Sequence, residues 1–400
     1  MDSVTDVPML DEFVAICGAP VWRERLAALR LAGRAATRQG KQSLQYHCIE
    51  LVLERARGGS GGRTADRPVT GAERAILGYA ADAAALHRSL RPAGRERMRS
   101  ALGDGLAGAR SLVPMFHLLR MAALQRSRGF EVSFEGFEEG APFDLLITRG
   151  GAEAEIACDV MSAEEGRGVH RGAWFNLVDR IDPELQTWLR AHPGRYLLKL
   201  TLPLGLKLPE QPESGLLPVL HERITQMLSA QKRADGDEAA VLRLDPLMLA
   251  AAQADELGLM PRLREEFGPE AHLAVTASGG GLFVMAARAG QQNDVAAAVR
   301  RRLSAIASAR LTGHRPGILA MFIEDTDRLE WRLLRERLEL EGETRQFLTH
   351  PEAKPVIAVT CSSRLELFGI GEPDGELRFR NQAHPAAKSA ELAPAVASSM

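Results

Sequence analysis

The sequence contains few cysteines and no long apolar run. The four cysteines of the 400-residue chain, Cys17, Cys48, Cys158 and Cys361, stand far apart and form no CxxC pair. This spacing argues against a zinc knuckle and against a disulfide framework, so a reducing cytoplasm is the expected compartment. No apolar stretch approaches the roughly 18 residues of a membrane span, and the N-terminus is acidic where a signal peptide is basic. We therefore expect a cytoplasmic protein that does not enter a membrane.

The chain also lacks a large net charge, and it is poor in lysine. It carries 50 basic and 52 acidic residues, a formal net charge of -2, and only six of the cations are lysines. An overall cationic field that would attract nucleic acid is therefore absent. The balance is uneven, however: residues 1–128 carry 20 basic against 12 acidic residues (+8), and residues 129–400 carry 30 against 40 (-10). The basic part could follow phosphate groups or dock against the acidic part, and the sequence leaves both possibilities open.

What is present is the composition of a globular protein. Hydrophobic residues make up 45% of the chain and charged residues 26%, and its length suits about two or three domains. Residues 1–110 are rich in Ala, Leu, Arg and Glu and predict a basic helical region, interrupted by a glycine-rich loop at 57–71. Residues 111–385 form the second predicted region. The Ala-, Ser- and Pro-rich tail, residues 386–400, is predicted to be disordered.

The second region predicts an α/β fold. An apolar stripe that begins after Ser111 and ends at Gly129 indicates a helix. Three short β-rich segments follow, at 130–136, 143–149 and 154–162, and later apolar strands alternate with helices. This order indicates a mixed central sheet flanked by helices. The Ser-Gly-Gly-Gly segment at 278–281 lacks the lysine of a phosphate-binding loop, so we interpret it as a hairpin turn.

The helix and the three strands resemble the core of a PD-(D/E)xK nuclease domain. In that family an Asp begins the second strand, and a Glu and a Lys separated by one residue lie on the third strand. Here Asp144 follows Pro142-Phe143, and the third strand reads AEIACDVMS. The segment after it resembles a subgroup pattern, Ser followed by G-R-x-I-H-R, which is matched by Ser162, Gly166, Arg167, Val169, His170 and Arg171. The resemblance is good over residues 111 to about 203, extends loosely to about 381, and implies a restriction-endonuclease-like fold.

The resemblance fails at the two positions that the chemistry needs. Ala157 stands at the glutamate position and Asp159 at the lysine position. The catalytic candidates that remain are Asp144, Glu155 and Asp159, with Lys199 on the next strand as a replacement cation. Asp144 could share one Mg²⁺, the cofactor that an active enzyme of this kind would use, with Asp159 or with Glu155. Glu155 lies about 13 Å along the strand from Asp159, so one metal would not reach both.

Strand alternation gives an independent expectation. It places Glu155, Ala157 and Asp159 on one face and the apolar Ile156 and Cys158 on the other, so the acidic face would carry any site. The same carboxylates could equally be solvated surface groups. Lys199 could be an ordinary edge-strand charge. The arginine run at 300–302 is typical of a solvated helix face.

Three functions remain open on these grounds. The leading one is a nucleic-acid-associated protein, with DNA favoured over RNA, on a catalytically degenerate nuclease fold. Arg167, His170 and Arg171 would then contact phosphates, although the same residues could also be a solvated helix start. The second is an active Mg²⁺-dependent nuclease in which Lys199 or His170 replaces the lost lysine. The third is a structural protein that binds a protein partner or forms a homo-oligomer. A fold alone does not choose among them.

Overall fold

The computed structural model describes residues 7–35, 37–58, 70–207, 215–247, 262–264, 266–268, 271–369 and 376–398. Contacts divide the chain into two units. Unit 1 comprises Met1–Gly33, Ser43–Ala163 and Ala296–Met400, and unit 2 comprises Arg34–Gln42 and Glu164–Val295. In sequence, most of unit 2 is therefore an insertion into unit 1.

Unit 1 is built on a mixed sheet. Its strands are β1 (Glu131–Ser133), β2 (Leu145–Arg149), β3 (Ala152–Ser162), β9 (Gly317–Glu324), β10 (Val356–Ser363) and β11 (Leu377–Arg380), in the spatial order β1-β2-β3-β9-β10-β11. The first three strands form an antiparallel meander, β3, β9 and β10 run parallel, and β11 is antiparallel to β10. The two central strands β9 and β10 are buried along their whole length and are mostly apolar, as is typical of parallel strands covered on both faces.

Helices occupy most of the rest of unit 1. Those before the sheet are α1 (Val7–Cys17), α2 (Ala19–Arg34), α4 (Cys48–Gly58), α5 (Gly71–Ser89), α6 (Pro92–Leu106) and α7 (Val113–Ser127), and α3 (Arg38–Tyr46) spans the unit boundary. Those within and after the sheet are the short α8 (Glu135–Glu138), α11 (Val295–Arg310), α12 (Arg328–Glu336), α13 (Glu339–Leu348), α14 (Arg364–Leu367) and α15 (Ala393–Val396). Helix α5 begins with a complete capping box in which Thr70 and Glu73 satisfy each other's backbone N–H groups.

One apolar core joins the N-terminal helices to the sheet. It contains Phe13 and Trp22 from the first two helices, Phe116 from α7, and Ile156 and Ile318 from β3 and β9. The rings of Phe13 and Phe116 meet edge to face at 6.0 Å. Residue 110, the predicted end of a separate helical region, is consequently not a boundary between the two units, because these helices bury their apolar faces against α7 and the sheet.

Unit 2 contains a second mixed sheet. Its strands are β4 (Arg195–Leu202), β5 (Ala234–Gly236), β6 (Val241–Pro246), β7 (His272–Ser278) and β8 (Gly281–Ala289), in the order β5-β6-β4-β8-β7. Helices α9 (Arg171–Ala191) and α10 (Leu216–Ser229) pack on one face of this sheet through a core that includes Trp174, Leu198 and Phe283. Strands β7 and β8 are joined at Gly279 and Gly280, whose positive φ values suit a two-residue hairpin turn.

The α/β class expected from the sequence is confirmed. The predicted helix corresponds to α7, the three predicted strands to β1, β2 and β3, and the Ser-Gly-Gly-Gly segment at 278–281 to the β7–β8 turn. Most of the predicted glycine-rich loop, residues 59–69, lies outside the described residues. In the part of the chain that the structure describes, no helix combines the length and the apolar character needed to cross a bilayer.

The prediction of a disordered tail was wrong over residues 386–398. A 3-10 turn at Pro385–Lys388 leads to α15, and Leu392, Ala395 and Val396 belong to the core of unit 1. The segment folds because these few apolar side chains are buried, although its Ala, Ser and Pro content is typical of disorder.

The buried tail gives a stability prediction. Val396→Ala should lower the free energy of unfolding by about 2 kcal/mol, because two methyl groups leave a packed core. Ala397→Ser at the exposed next position is the control and should change little. Urea denaturation measures both. Equal stability of the two variants would indicate that the tail does not pack on unit 1.

Candidate active site

Strand β3 presents two faces, as its alternation predicts. Ile156 belongs to the core shared with α7, and the half-buried Cys158 and Val160 pack against that core. The other face carries Glu155 and Asp159, which contact α11 and the segment after it. This second face is not open to water over its whole length, because both Glu155 and Ala157 are completely buried. The acidic face of β3 is therefore packed against α11 and the segment that follows α11.

Asp144 lies immediately before β2 and bonds directly to β3. Its Oδ2 accepts a hydrogen bond from the Cys158 backbone N–H at 2.7 Å, and its Oδ1 accepts one from Arg310 Nη2 at 2.7 Å. The same guanidinium donates to the carbonyl oxygens of Cys158 (2.7 Å) and Pro142 (3.0 Å). Arg310 thus ties the start of β2 to the middle of β3.

Asp159 is held by a second arginine of α11. Arg302 Nε donates to Asp159 Oδ2 at 2.5 Å and Arg302 Nη2 donates to Oδ1 at 3.1 Å, which is the bidentate fork that guanidinium and carboxylate groups form. Arg302 and Arg310 stand eight residues apart on one helix, slightly more than two turns. One helix therefore supplies a cation to each of the two predicted metal ligands. We call these four residues the arginine-capped pair.

The charges of the arginine-capped pair sum to zero. Burial raises the pKa of Asp144 above its ordinary value; the Arg310 guanidinium and the Cys158 N–H oppose this shift, and the Asp159 charge adds to it. A neutral site offers little attraction to a divalent cation, whose binding requires an excess of carboxylate oxygens. Among the described residues, no group of three or more His, Cys, Asp or Glu side chains is arranged to hold a metal ion.

Glu155 has a separate structural environment. Its Oε2 accepts a hydrogen bond from the Thr312 backbone N–H at 2.9 Å, its Oε1 accepts one from the Thr312 hydroxyl, and Arg315 Nη1 lies 3.9 Å from Oε1. These contacts satisfy a fully buried carboxylate and fix the segment between α11 and β9.

Lys199 lies in unit 2, with partners of that unit. Its Nζ is 3.5 Å from Asp245 Oδ2 and 5.8 Å from the centre of the Phe267 ring. It is not an edge-strand charge, because β4 is the central strand of its sheet. The structure gives Lys199 neighbours other than the three carboxylates with which it was predicted to act.

The three predicted phosphate contacts surround the start of α9. Arg167 is almost fully buried and forms an ion pair with Glu164, whose other oxygen accepts the Arg171 backbone N–H at 2.7 Å. Burial, together with the charges of Lys207 and Arg167, lowers the pKa of His170. The Glu164 carboxylate already occupies the position at the helix N-terminus that a phosphate would take.

The arginine caps are the residues that sequence reasoning missed. In the run 300–302, interpreted as a solvated face, Arg300 bonds to Glu343 at 2.6 Å and Arg302 bonds to Asp159; only Arg301 is exposed. The signal available in the sequence was that both arginines lie on a helix that comes after the acidic strand β3 and directly before β9.

Many cations of the basic N-terminal part are bound to acidic or carbonyl groups. Arg120 forms a buried ion pair with Glu376 at 3.0 Å, and Arg91 pairs with Glu139 at 2.9 Å. Arg97 donates to the Phe137 and Glu138 carbonyl oxygens. These contacts favour the interpretation that the basic N-terminal part docks against the acidic part of the chain, and not that it follows phosphate groups.

The pair of Asp144 and Arg310 gives a pH-dependent prediction. Because the pKa of Asp144 is raised in the folded protein, its carboxyl keeps its proton to higher pH in the folded state than in the unfolded state, and its contribution to stability falls as pH rises from the ordinary pKa to the raised pKa. Arg310→Met removes the opposing cation. It should cost about 2 kcal/mol near neutral pH and progressively less on acidification.

Urea denaturation across a pH series measures this effect. Arg310→Met combined with Asp144→Asn is the control, and it should recover stability and lose the added pH dependence. A constant cost at every pH would mean that Arg310 acts through packing and not through the Asp144 charge.

Comparisons with known proteins do not identify a family or a function for this site. No protein-family model, no curated protein and no solved structure matches the chain.

Proposed function

We propose that the chain is a nucleic-acid-associated protein on a PD-(D/E)xK nuclease-like scaffold whose former catalytic position is structural. The observation that carries this proposal is the arginine-capped pair: both carboxylates that could ligate Mg²⁺ are bound to guanidinium groups of α11. Cytoplasmic localisation, together with a preference for DNA over RNA, belongs to the same proposal.

The order of elements supports the scaffold. Helix α7 precedes the meander β1-β2-β3, Asp144 stands directly before β2, and the degenerate Ala157-Cys158-Asp159 sequence lies on β3. This is the arrangement in which the nuclease family carries its motif. The inserted unit 2 then separates β3 from α11 and β9.

The chemistry of phosphodiester hydrolysis supports loss of catalysis. The reaction needs carboxylates that hold Mg²⁺ and a cation that stabilises the charge developing on phosphorus. Ala157 cannot ligate a metal, and Asp159 has the wrong sign for the lysine position. Arg302 and Arg310 restore positive charge, but each is bound to one of the carboxylates that a metal would need as a ligand.

Two alternatives make different demands on the site. An active Mg²⁺-dependent nuclease would require both arginines to leave Asp144 and Asp159 and a lysine such as Lys199 to join them. A structural protein that binds a protein partner or a second copy of itself would need neither metal nor nucleic acid.

A cleavage assay tests the catalytic part of the proposal. The wild-type chain should not cut single- or double-stranded DNA or RNA with Mg²⁺ or Mn²⁺. Ala157→Glu with Asp159→Lys restores the family residues but leaves the introduced lysine against Arg302. Weak metal-dependent cleavage should appear only when Arg302→Gln and Arg310→Gln are added, because the metal site is then uncapped.

The matched control is the same fourfold variant with Asp144→Ala, which should be inactive. Robust wild-type cleavage that disappears in Asp144→Ala would overturn the proposal, and loss of that activity in Lys199→Ala with nucleic-acid binding retained would establish the displaced-lysine enzyme.

A salt titration tests the association with nucleic acid. The wild-type chain should bind a duplex of about 20 base pairs with an affinity that falls linearly on a log–log plot against salt, because neutralised phosphates release counterions. Fluorescence anisotropy measures this. Absence of binding at low salt would refute the nucleic-acid part of the proposal and favour the partner-binding alternative.

A further inference from the structure

The sheet of unit 2 has two chemically different faces. Leu198, Leu200 and Leu202 of β4 point into the core beneath α9 and α10. On the opposite face, Leu197, Val284 and Ala286 form a smaller cluster with Leu263 and Phe267, which covers only part of the sheet. The remainder of that face is formed by the second half of β4 together with β6 and the end of β8.

Polar side chains occupy this remainder. Lys199 is directly opposite Arg243 on β6, and Thr201 is opposite Val241 on β6 and Arg288 on β8. Alternation places these residues and Asp245 on the same face. We call them the basic strip: Lys199, Thr201, Val241, Arg243, Asp245 and Arg288.

The basic strip is open to solvent. The Arg243 side chain is 70% exposed and that of Lys199 is 44% exposed. Arg288 is exposed as well, and it forms no ion pair with the residues that the structure describes. A strip on central strands with this exposure is a surface rather than a sheet edge.

The distribution of charge within the strip is unfavourable to folding. Like charges directly opposite each other in an antiparallel pair destabilise a sheet, and Lys199 faces Arg243 in this way. A single carboxylate serves both: Asp245 Oδ1 is 3.1 Å from Arg243 Nε, and its Oδ2 is 3.5 Å from Lys199 Nζ. Three cations against one anion leave the strip with two uncompensated positive charges, counting Arg288.

We propose that the basic strip binds the phosphodiester backbone of a nucleic acid. This inference rests on the proposed function and assigns its binding surface to unit 2. Charge complementarity selects the ligand, because a nucleic acid presents a regular row of anions and needs no apolar pocket. A protein partner would need an apolar interface core, whereas Val241 is the strip's one large apolar side chain.

The composition of the strip also defines the mode of binding. Its six side chains include no aromatic ring on which a base could stack. Affinity should therefore depend weakly on base sequence and strongly on salt. Each cation lost should lower the log–log salt slope on a duplex by about 0.9.

The test uses the full chain and fluorescence anisotropy with a duplex and a single strand of about 20 nucleotides, between about 50 mM and about 200 mM salt. Arg243→Gln with Arg288→Gln should weaken binding about tenfold at low salt and reduce the duplex salt slope by about 1.8. Asp245→Asn should tighten binding, an outcome that misfolding would not produce.

The matched control is Arg332→Gln with Arg345→Gln on α12 and α13. These arginines are similarly exposed and paired with glutamates, and their loss changes the net charge by the same amount. The control should bind as the wild type does. Equal weakening by both double variants, or unchanged binding by the strip variant, would refute the assignment of nucleic-acid binding to the basic strip. The proposed function would remain intact.

Two further outcomes separate the possible ligands. Absence of binding by the wild type would refute the proposed function together with the strip. Poly-glutamate at equal charge concentration could displace the duplex with the same dependence on Arg243 and Arg288. That result would contradict the proposal that the strip binds a phosphodiester backbone and would indicate an acidic protein segment as its ligand.

Discussion

The arrangement of unit 1 depends on two carboxylates that need cations. Asp144 and Asp159 lie beside a central strand whose other face is apolar core, and an uncompensated charge there would be costly. Helix α11 satisfies both with Arg302 and Arg310. The position of α11 over β3, and through it the entry into β9, is consequently fixed by electrostatics as well as by packing.

On the proposed nuclease-like scaffold, the same constraint would give the motif position a structural role. In a nuclease, carboxylates at these positions would be available to bind a metal ion. The charge of that ion would neutralise the two like charges and serve the reaction. In this chain the protein supplies the neutralising charge itself. Asp144 accepts a hydrogen bond from the Cys158 backbone N–H, and Arg310 and Arg302 balance the charges of Asp144 and Asp159.

The sequence could predict what local pattern controls. Alternation along residues 154–161 identified β3 and the burial of Ile156, and the Ser-Gly-Gly-Gly segment at 278–281 identified the β7–β8 turn. It could not predict the arginine caps, because Asp159 and Arg302 are 143 residues apart with the inserted unit between them. Nor could it predict the tail, since burial of Val396 depends on a tertiary surface that composition does not encode. The sequence also did not predict that Lys199 lies beside Asp245, because this contact too depends on tertiary structure.

In this protein, guanidinium groups and not a metal neutralise Asp144 and Asp159. Electron paramagnetic resonance with Mn²⁺ as a substitute for Mg²⁺ tests this most directly, because it reports bound metal independently of catalysis. The wild-type chain should leave Mn²⁺ free at about 1 mM, and Arg302→Gln with Arg310→Gln should create a site that Asp144→Asn removes. Stoichiometric Mn²⁺ binding by the wild type that is lost in Asp144→Asn would show instead that Asp144 holds a metal in the wild-type protein.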